Sequence, residues 1–118
     1  MNIVRIYTGP DGKSHFEDVH VDLAAHPAGI GRLSTLWPGK GVQFREVDGD
    51  YDLDFHPAPR RQLVVNLDAS VEIEVGDGTT RILGPGSILL AEDTTGQGHK
   101  SRAVNGEARK SLFIHLDG

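Results

Sequence analysis

Ser70–Leu83, which reads SVEIEVGDGTTRIL, is the stretch that decides the fold. Val71, Ile73 and Val75 alternate with Ser70, Glu72 and Glu74, so a strand here turns one apolar and one polar face outward. Gly76-Asp77-Gly78 follows at once and supplies the positive-φ freedom of a tight turn, and TTRIL leads away from it. The pattern predicts a β-hairpin.

Working outward, the rest of the chain has the same grain. Fifteen glycines and six prolines break its 118 residues into short runs, and no window keeps an apolar 3.6-residue period for three turns. The runs predict strands at Ile3–Tyr7, Phe16–Leu23, Gly31–Leu36, Val42–Val47, Asp52–His56 and Gln62–Leu67. Beyond these come Ser70–Val75, Thr79–Leu83, Ser87–Ala91, His99–Val104 and Ser111–Leu116. SILLA, at Ser87–Ala91, is apolar throughout and is expected to be covered on both faces. So many short strands in one small domain must stack or close to protect their edges, which predicts an all-β sandwich or barrel.

Composition narrows the function classes. The chain is 37% apolar and 25% charged, without cysteine, which fits a globular protein free of disulfide or thiolate chemistry. Its formal net charge of −5 disfavours nucleic acid as a partner. No apolar run reaches the ~20 residues of a membrane helix. MNIVRIYTGP lacks a signal-peptide core, and a cytoplasmic location is expected.

The polar residues cluster in two places. If extended geometry runs from Asp52 through HPAPRRQ, then His56, Ala58, Arg60, Gln62, Val64 and Asn66 share one side. Pro57 and Pro59 make a slip of phase possible. That side either faces water or lines a pocket with a few convergent polar groups. The second cluster is AEDTTGQGHKS, Ala91–Ser101. A phosphate loop would need a glycine, four residues and Gly-Lys-Ser opening a helix. Here His99 separates Gly98 from Lys100 and two acids precede, so that reading falls. No G-x-S-x-G elbow supports a hydrolase either.

With these residues in view, the chain resembles a small single-domain cupin, over about residues 42–116. The family's first motif has two histidines one residue apart, then a glutamate and a glycine; His56, Ala58, Gln62 and Ala69 fall on those positions. Gly84-Pro85-Gly86, SILLAEDTTGQG and His99 resemble the second motif. FHPAPRRQ and AEDTTGQGH are also similar to runs in a subgroup of small cupins. The resemblance implies a cupin-type double-stranded β-helix, or jelly-roll barrel, with residues 1–41 as N-terminal strands and 42–116 as the barrel core. It further implies a divalent metal ion (iron, manganese, nickel or zinc) on His56, Gln62 and His99, no nucleotide cofactor, and a homodimer. Ala58 replaces one histidine and Gln62 the acid, which weakens the metal set.

The expected function is chemistry on a small, anionic organic metabolite at a metal in the barrel. The alternative is ligand binding without chemistry, or a structural homodimer with a vestigial site. Arg60 is the expected anion anchor, Tyr51 and Phe44 the expected aromatic walls. Glu92 or Asp93 is the expected general base, with Asp54 a further carboxylate in reach.

Overall fold

A computed structural model describes residues 1–117. The decisive hairpin forms as β8 (Val71–Glu74) and β9 (Thr80–Leu83), with Ile73 opposite Arg81. Gly78 takes a φ of 88° in the turn, open to glycine at no steric cost. Val71, Ile73 and Val75 are 3%, 2% and 2% exposed. Each such side chain contributes about 1.5–3 kcal/mol on burial, enough to fix which face of the hairpin looks inward.

The other strands are β1 (Asn2–Thr8), β2 (Ser14–His20), β3 (Ala24–Ala25), β4 (Arg32–Leu33), β5 (Gly39–Val47) and β6 (Asp52–His56). Then follow β7 (Gln62–Asn66), β10 (Ile88–Glu92), β11 (His99–Ala103) and β12 (Arg109–Leu116). A six-stranded sheet runs β2-β1-β10-β7-β12-β5, and a four-stranded sheet runs β6-β11-β8-β9. All of these pairings are antiparallel except β1 with β10. The fold is all-β, of jelly-roll type, with two sheets face to face. The sheets remain separate, with β2, β5, β6 and β9 as edges. Arg81 on β9 reaches Asp18 on β2 at 2.6 Å and stacks over Phe16, bridging one open side.

Two apolar layers hold the larger sheet. Leu89 and Ala91 point between the sheets with Ile6, Val71, Ile73, Val75 and Leu83. Leu90 packs on the opposite face with Ile3 and Leu116, and Ile88, Leu63 and Trp37 lie against them. β10 is therefore covered on both sides, as the unbroken apolar run SILLA implied.

The expected strand over Gly31–Leu36 shrinks to the two residues of β4, paired with β3, and Phe16–Leu23 stops at His20. Neither β3 nor β4 finds a partner in the two main sheets, so the segment lacks the ladder that would extend it.

Candidate functional site

A cavity of about 380 Å³ lies between the sheets. Both sheets line it, and its walls are mostly apolar, with Val64, Val71, Ile73 and Leu89 among them. Polar groups enter at two ends, which the register of β7 defines. Gln62, opposite Ala91 and His115, marks one end. Asn66, opposite Ser111, marks the other. Four residue steps along the strand separate them by roughly 13 Å.

His56 and His99 face each other across the β6–β11 ladder, with ring centroids 4.6 Å apart, and both line the cavity. Two backbone devices put them there. The ladder shifts by one residue between His99/His56 and Ser101/Leu53, so Asp54 and Phe55 together oppose Lys100. This bulge lets both Leu53 and His56 point inward, whereas strict alternation would turn one of them away. Gly98 then brings the loop onto the end of β6. It takes φ 75°, and a Cβ at this position would overlap the His56 carbonyl, so no other residue fits without moving one strand.

Each imidazole is oriented through Nδ1. His56 Nδ1 donates to the Asp54 carbonyl at 2.8 Å, and His99 Nδ1 donates to Asp93 Oδ2 at 2.6 Å. A donating Nδ1 leaves Nε2 as the lone-pair nitrogen of the neutral ring. Asp93 is 0% exposed; its Oδ2 also accepts from Ser14 Oγ at 2.7 Å, while its Oδ1 has no partner. Gln62 is 5% exposed, and its Oε1 likewise lacks a partner on the cavity wall. Two Nε2 atoms and one amide oxygen are thus the uncommitted donors at this end. None of the three is a carboxylate. Among the described residues, no three His, Cys, Asp or Glu side chains gather as a metal-binding group.

Tyr51 lines the cavity and its hydroxyl pairs with Ser101 Oγ at 2.7 Å. The remaining expectations are displaced. Phe44 is 85% exposed on the outer face of β5, because Arg45 and Val47 take the inward parity of that strand. Arg60 is exposed and meets His115 Nε2 at 3.2 Å outside the lining. Residues 57–61 cross from one sheet to the other, so the alternation of β6 does not continue through them. The phase is nonetheless kept across the crossing: Ala58, Gln62, Val64 and Asn66 line the cavity with His56, Arg60 alone of the expected set leaves that side, and Pro57 and Pro59 bring no lasting slip. Asp54 has an 88% exposed side chain directed at Lys100.

Glu92 follows Ala91 on β10 and so takes the outer face, where Arg5 Nε and Arg61 Nε each reach its carboxylate at 2.5 Å. Burial alone would push this carboxyl up, but the hydrogen bonds from Arg61 and Arg5 outweigh it and hold the value below the ordinary one. The sequence expectation of a general base at Glu92 is therefore corrected: its carboxylate lies outside the cavity lining, committed to two arginines. Asp93 stands behind His99 and does not itself line the cavity.

Two residues that sequence reading passed over complete the lining: Arg45 and Arg109. Arg109 is 4% exposed, gives Nη1 to Asn66 Oδ1 at 2.9 Å, and has no partner for Nε. Burial pushes its guanidinium below the usual arginine value, and the nearby Arg45 charge adds to that. The strand parity of Arg109, Ser111 and Phe113 was the available signal, since Phe113 points inward.

Fold and cavity together define an all-β, jelly-roll protein with one polar-ended pocket between its sheets. The chain matches no protein-family profile and no curated protein. Among solved structures it is similar to a conserved Streptococcus pyogenes protein of unknown function, at 20% identity and a TM-score of 0.53. That likeness covers 72% of this chain and 70% of the other. A Neisseria meningitidis protein aligns at 13% identity and a TM-score of 0.50, over 83% and 84% of the two chains. A Salmonella typhimurium protein provisionally named for ethanolamine utilization aligns over 98% and 95%, at 12% identity and a TM-score of 0.45. The first two support the fold; the third is too distant to carry an argument.

No helix is long and apolar enough to cross a membrane among the described residues.

Proposed function

We propose that this chain is a small cupin-type protein that binds a small, anionic organic molecule between its sheets and acts on it with the help of a divalent metal ion. One observation carries the reading. His56, His99 and Gln62 come from three different strands, yet all line one cavity, with both imidazoles held through Nδ1 and Gln62 Oε1 buried without a partner among the described residues. An orphaned, buried amide oxygen is costly for folding alone, and with two Nδ1-anchored imidazoles on the same cavity wall it makes a natural donor set for a first-row divalent ion.

These three residues would hold the metal, which when bound would supply Lewis-acid polarisation. The protein's own contributions are more specific. Asp93 and the Asp54 carbonyl fix both rings in the tautomer that leaves Nε2 as an acceptor, as outer partners of metal-binding histidines commonly do. Val64, Ile73 and Leu89 line the cavity with apolar surface, and such a low-dielectric wall strengthens polar contacts made at its ends.

A donor set without a carboxylate favours a second reading, binding without chemistry. With Gln62 in place of a carboxylate, no negative charge offsets a dication. Metal analysis separates the two. Protein purified without chelator, or incubated with iron, manganese, nickel or zinc ions, should hold near-stoichiometric metal. If none of the four is retained, the metal-dependent reading is wrong and the binding reading stands.

A further inference from the structure

Arg45 and Arg109 pose a problem that the metal end of the cavity does not address. Both line the same cavity. Among the described residues, the Arg109 guanidinium hydrogen-bonds only to an uncharged amide, Asn66 Oδ1, and that amide is itself committed to the Leu83 carbonyl and Ser87 Oγ, each at 3.2 Å. Arg45 stacks over the rings of Tyr51 and Phe113, at 5.0 and 4.9 Å from their centroids. Arg109 stands 5.6 Å from the Tyr51 ring, so Tyr51 is shared by both cations. Among the described residues neither guanidinium has a carboxylate partner; Asp68, the acid that acts on Arg109 at longer range, is exposed and accepts from the Lys110 amide.

Two like charges facing one low-dielectric space are unfavourable unless something negative sits between them. Other polar atoms here are also unmet. Arg109 Nε and Ser111 Oγ are buried without partners, and Ser111 pairs across the sheet with Arg45 on one side and Asn66 on the other. A row of donors thus runs over β5, β12 and β7 at the Asn66 end.

We propose that Arg45 and Arg109, with Tyr51 between them, are the receptor for an oxyanion group, a carboxylate or a phosphate, on the small molecule that occupies the cavity. The guanidinium fork suits planar, bidentate recognition of such a group. Arg109 reaches it through Nε from the buried side and Arg45 closes over it from the ring faces. The roughly 13 Å of β7 between Asn66 and Gln62 sets the longest ligand that touches both ends. This assignment rests on the reading that the cavity takes a small molecule, and it replaces Arg60 as the anion anchor.

The test is calorimetric titration of metal-free protein with succinate, benzoate and inorganic phosphate, and with succinamide as the uncharged control. Wild type should bind at least one of the anions and not succinamide. Arg45→Gln and Arg109→Gln should each weaken that anion by roughly ten- to hundredfold, while Arg60→Gln leaves it unchanged. Succinate and phosphate arms distinguish the two oxyanions. Arg109 is buried, and if its variant does not fold, Arg45→Gln decides alone.

A second readout excludes a structural role. Removing one of two unpaired cations should raise the melting temperature of ligand-free Arg45→Gln, whereas a guanidinium that holds the fold together would lower it. Equal anion affinity in wild type and Arg45→Gln overturns the assignment and leaves the metal reading intact. Metal retention with no anion binding in wild type overturns it as well. Anion binding without metal retention supports it and sinks only the metal.

Discussion

Replacing Asp93 by alanine tests the architecture at its most committed point. The carboxylate is 0% exposed and one oxygen serves both His99 Nδ1, at 2.6 Å, and Ser14 Oγ, at 2.7 Å. His99 and Ser14 are themselves 7% and 1% exposed, so neither can turn to water when the acceptor is lost. Hydrogen bonds to a charged group contribute about 1.5–3 kcal/mol each. Against this, burying the unpartnered Oδ1 already costs the wild type on the order of 1–3 kcal/mol. A net loss of about 3 kcal/mol remains. A domain of 118 residues unfolds with an entropy of about 0.25 kcal/mol/K, so the melting temperature should fall by about 12 °C. Urea unfolding and calorimetry read both quantities. Asp93→Asn keeps the shape and should lose less. Ser14→Ala combined with Asp93→Ala should cost about 1 kcal/mol less than the sum of the single losses, because the two groups act as a pair. A loss below about 1 kcal/mol, or full additivity, would refute the account of Asp93 as the group that orients His99.

Further outcomes follow from the same contacts. Gln62→Glu adds the missing negative charge and should tighten divalent-metal binding by roughly tenfold; the metal-free variant should be less stable, since a carboxylate replaces a neutral amide at a buried site, and titration calorimetry with thermal melts reads both. For Glu92, whose folded value lies below the ordinary 4.5, stability is fully present above that value and drains away as pH falls through the folded one. Urea midpoints of Glu92→Gln should therefore vary less with pH than those of wild type between roughly pH 6 and pH 3, and parallel curves would contradict the outer-face ion pairs. Phe44→Ser should leave anion binding unchanged and shift monomer stability by less than about 0.5 kcal/mol. The homodimer the sequence suggested remains a proposal, and a concentration-dependent loss of stability in Phe44→Ser would place a second copy over β5.

How far the sequence spoke for itself depended on whether a residue sat inside a regular strand. The β8–β9 hairpin was legible because Val71, Ile73 and Val75 alternate without a break. The double burial of β10 was legible because Ile88 through Ala91 do not alternate at all. His56 and His99 were singled out because they fall on histidine positions of the motifs the chain resembles, in FHPAPRRQ and after Gly84-Pro85-Gly86. What alternation could not deliver lay at the irregular places. The bulge opposite Lys100 turned Leu53 inward with His56, and the crossing at residues 57–61 sent Arg60 out. Glu92 and Phe44 looked like site residues because they are acidic and aromatic; one step of strand parity put both outside. The same parity, applied to Arg109, Ser111 and Phe113, places an arginine inside. A charged residue on the inward side of a strand contradicts burial preference, and that conflict between levels marked the site.

The central claim is that His56 and His99 face one metal through Nε2. Metal content per chain, measured for wild type, His56→Ala and His99→Ala purified without chelator and then loaded with zinc or manganese, tests it most directly. The account predicts close to one ion per chain in wild type and near-complete loss in both variants, with the variants still folded. Equal metal in all three proteins, or none in wild type under any loading, would contradict it.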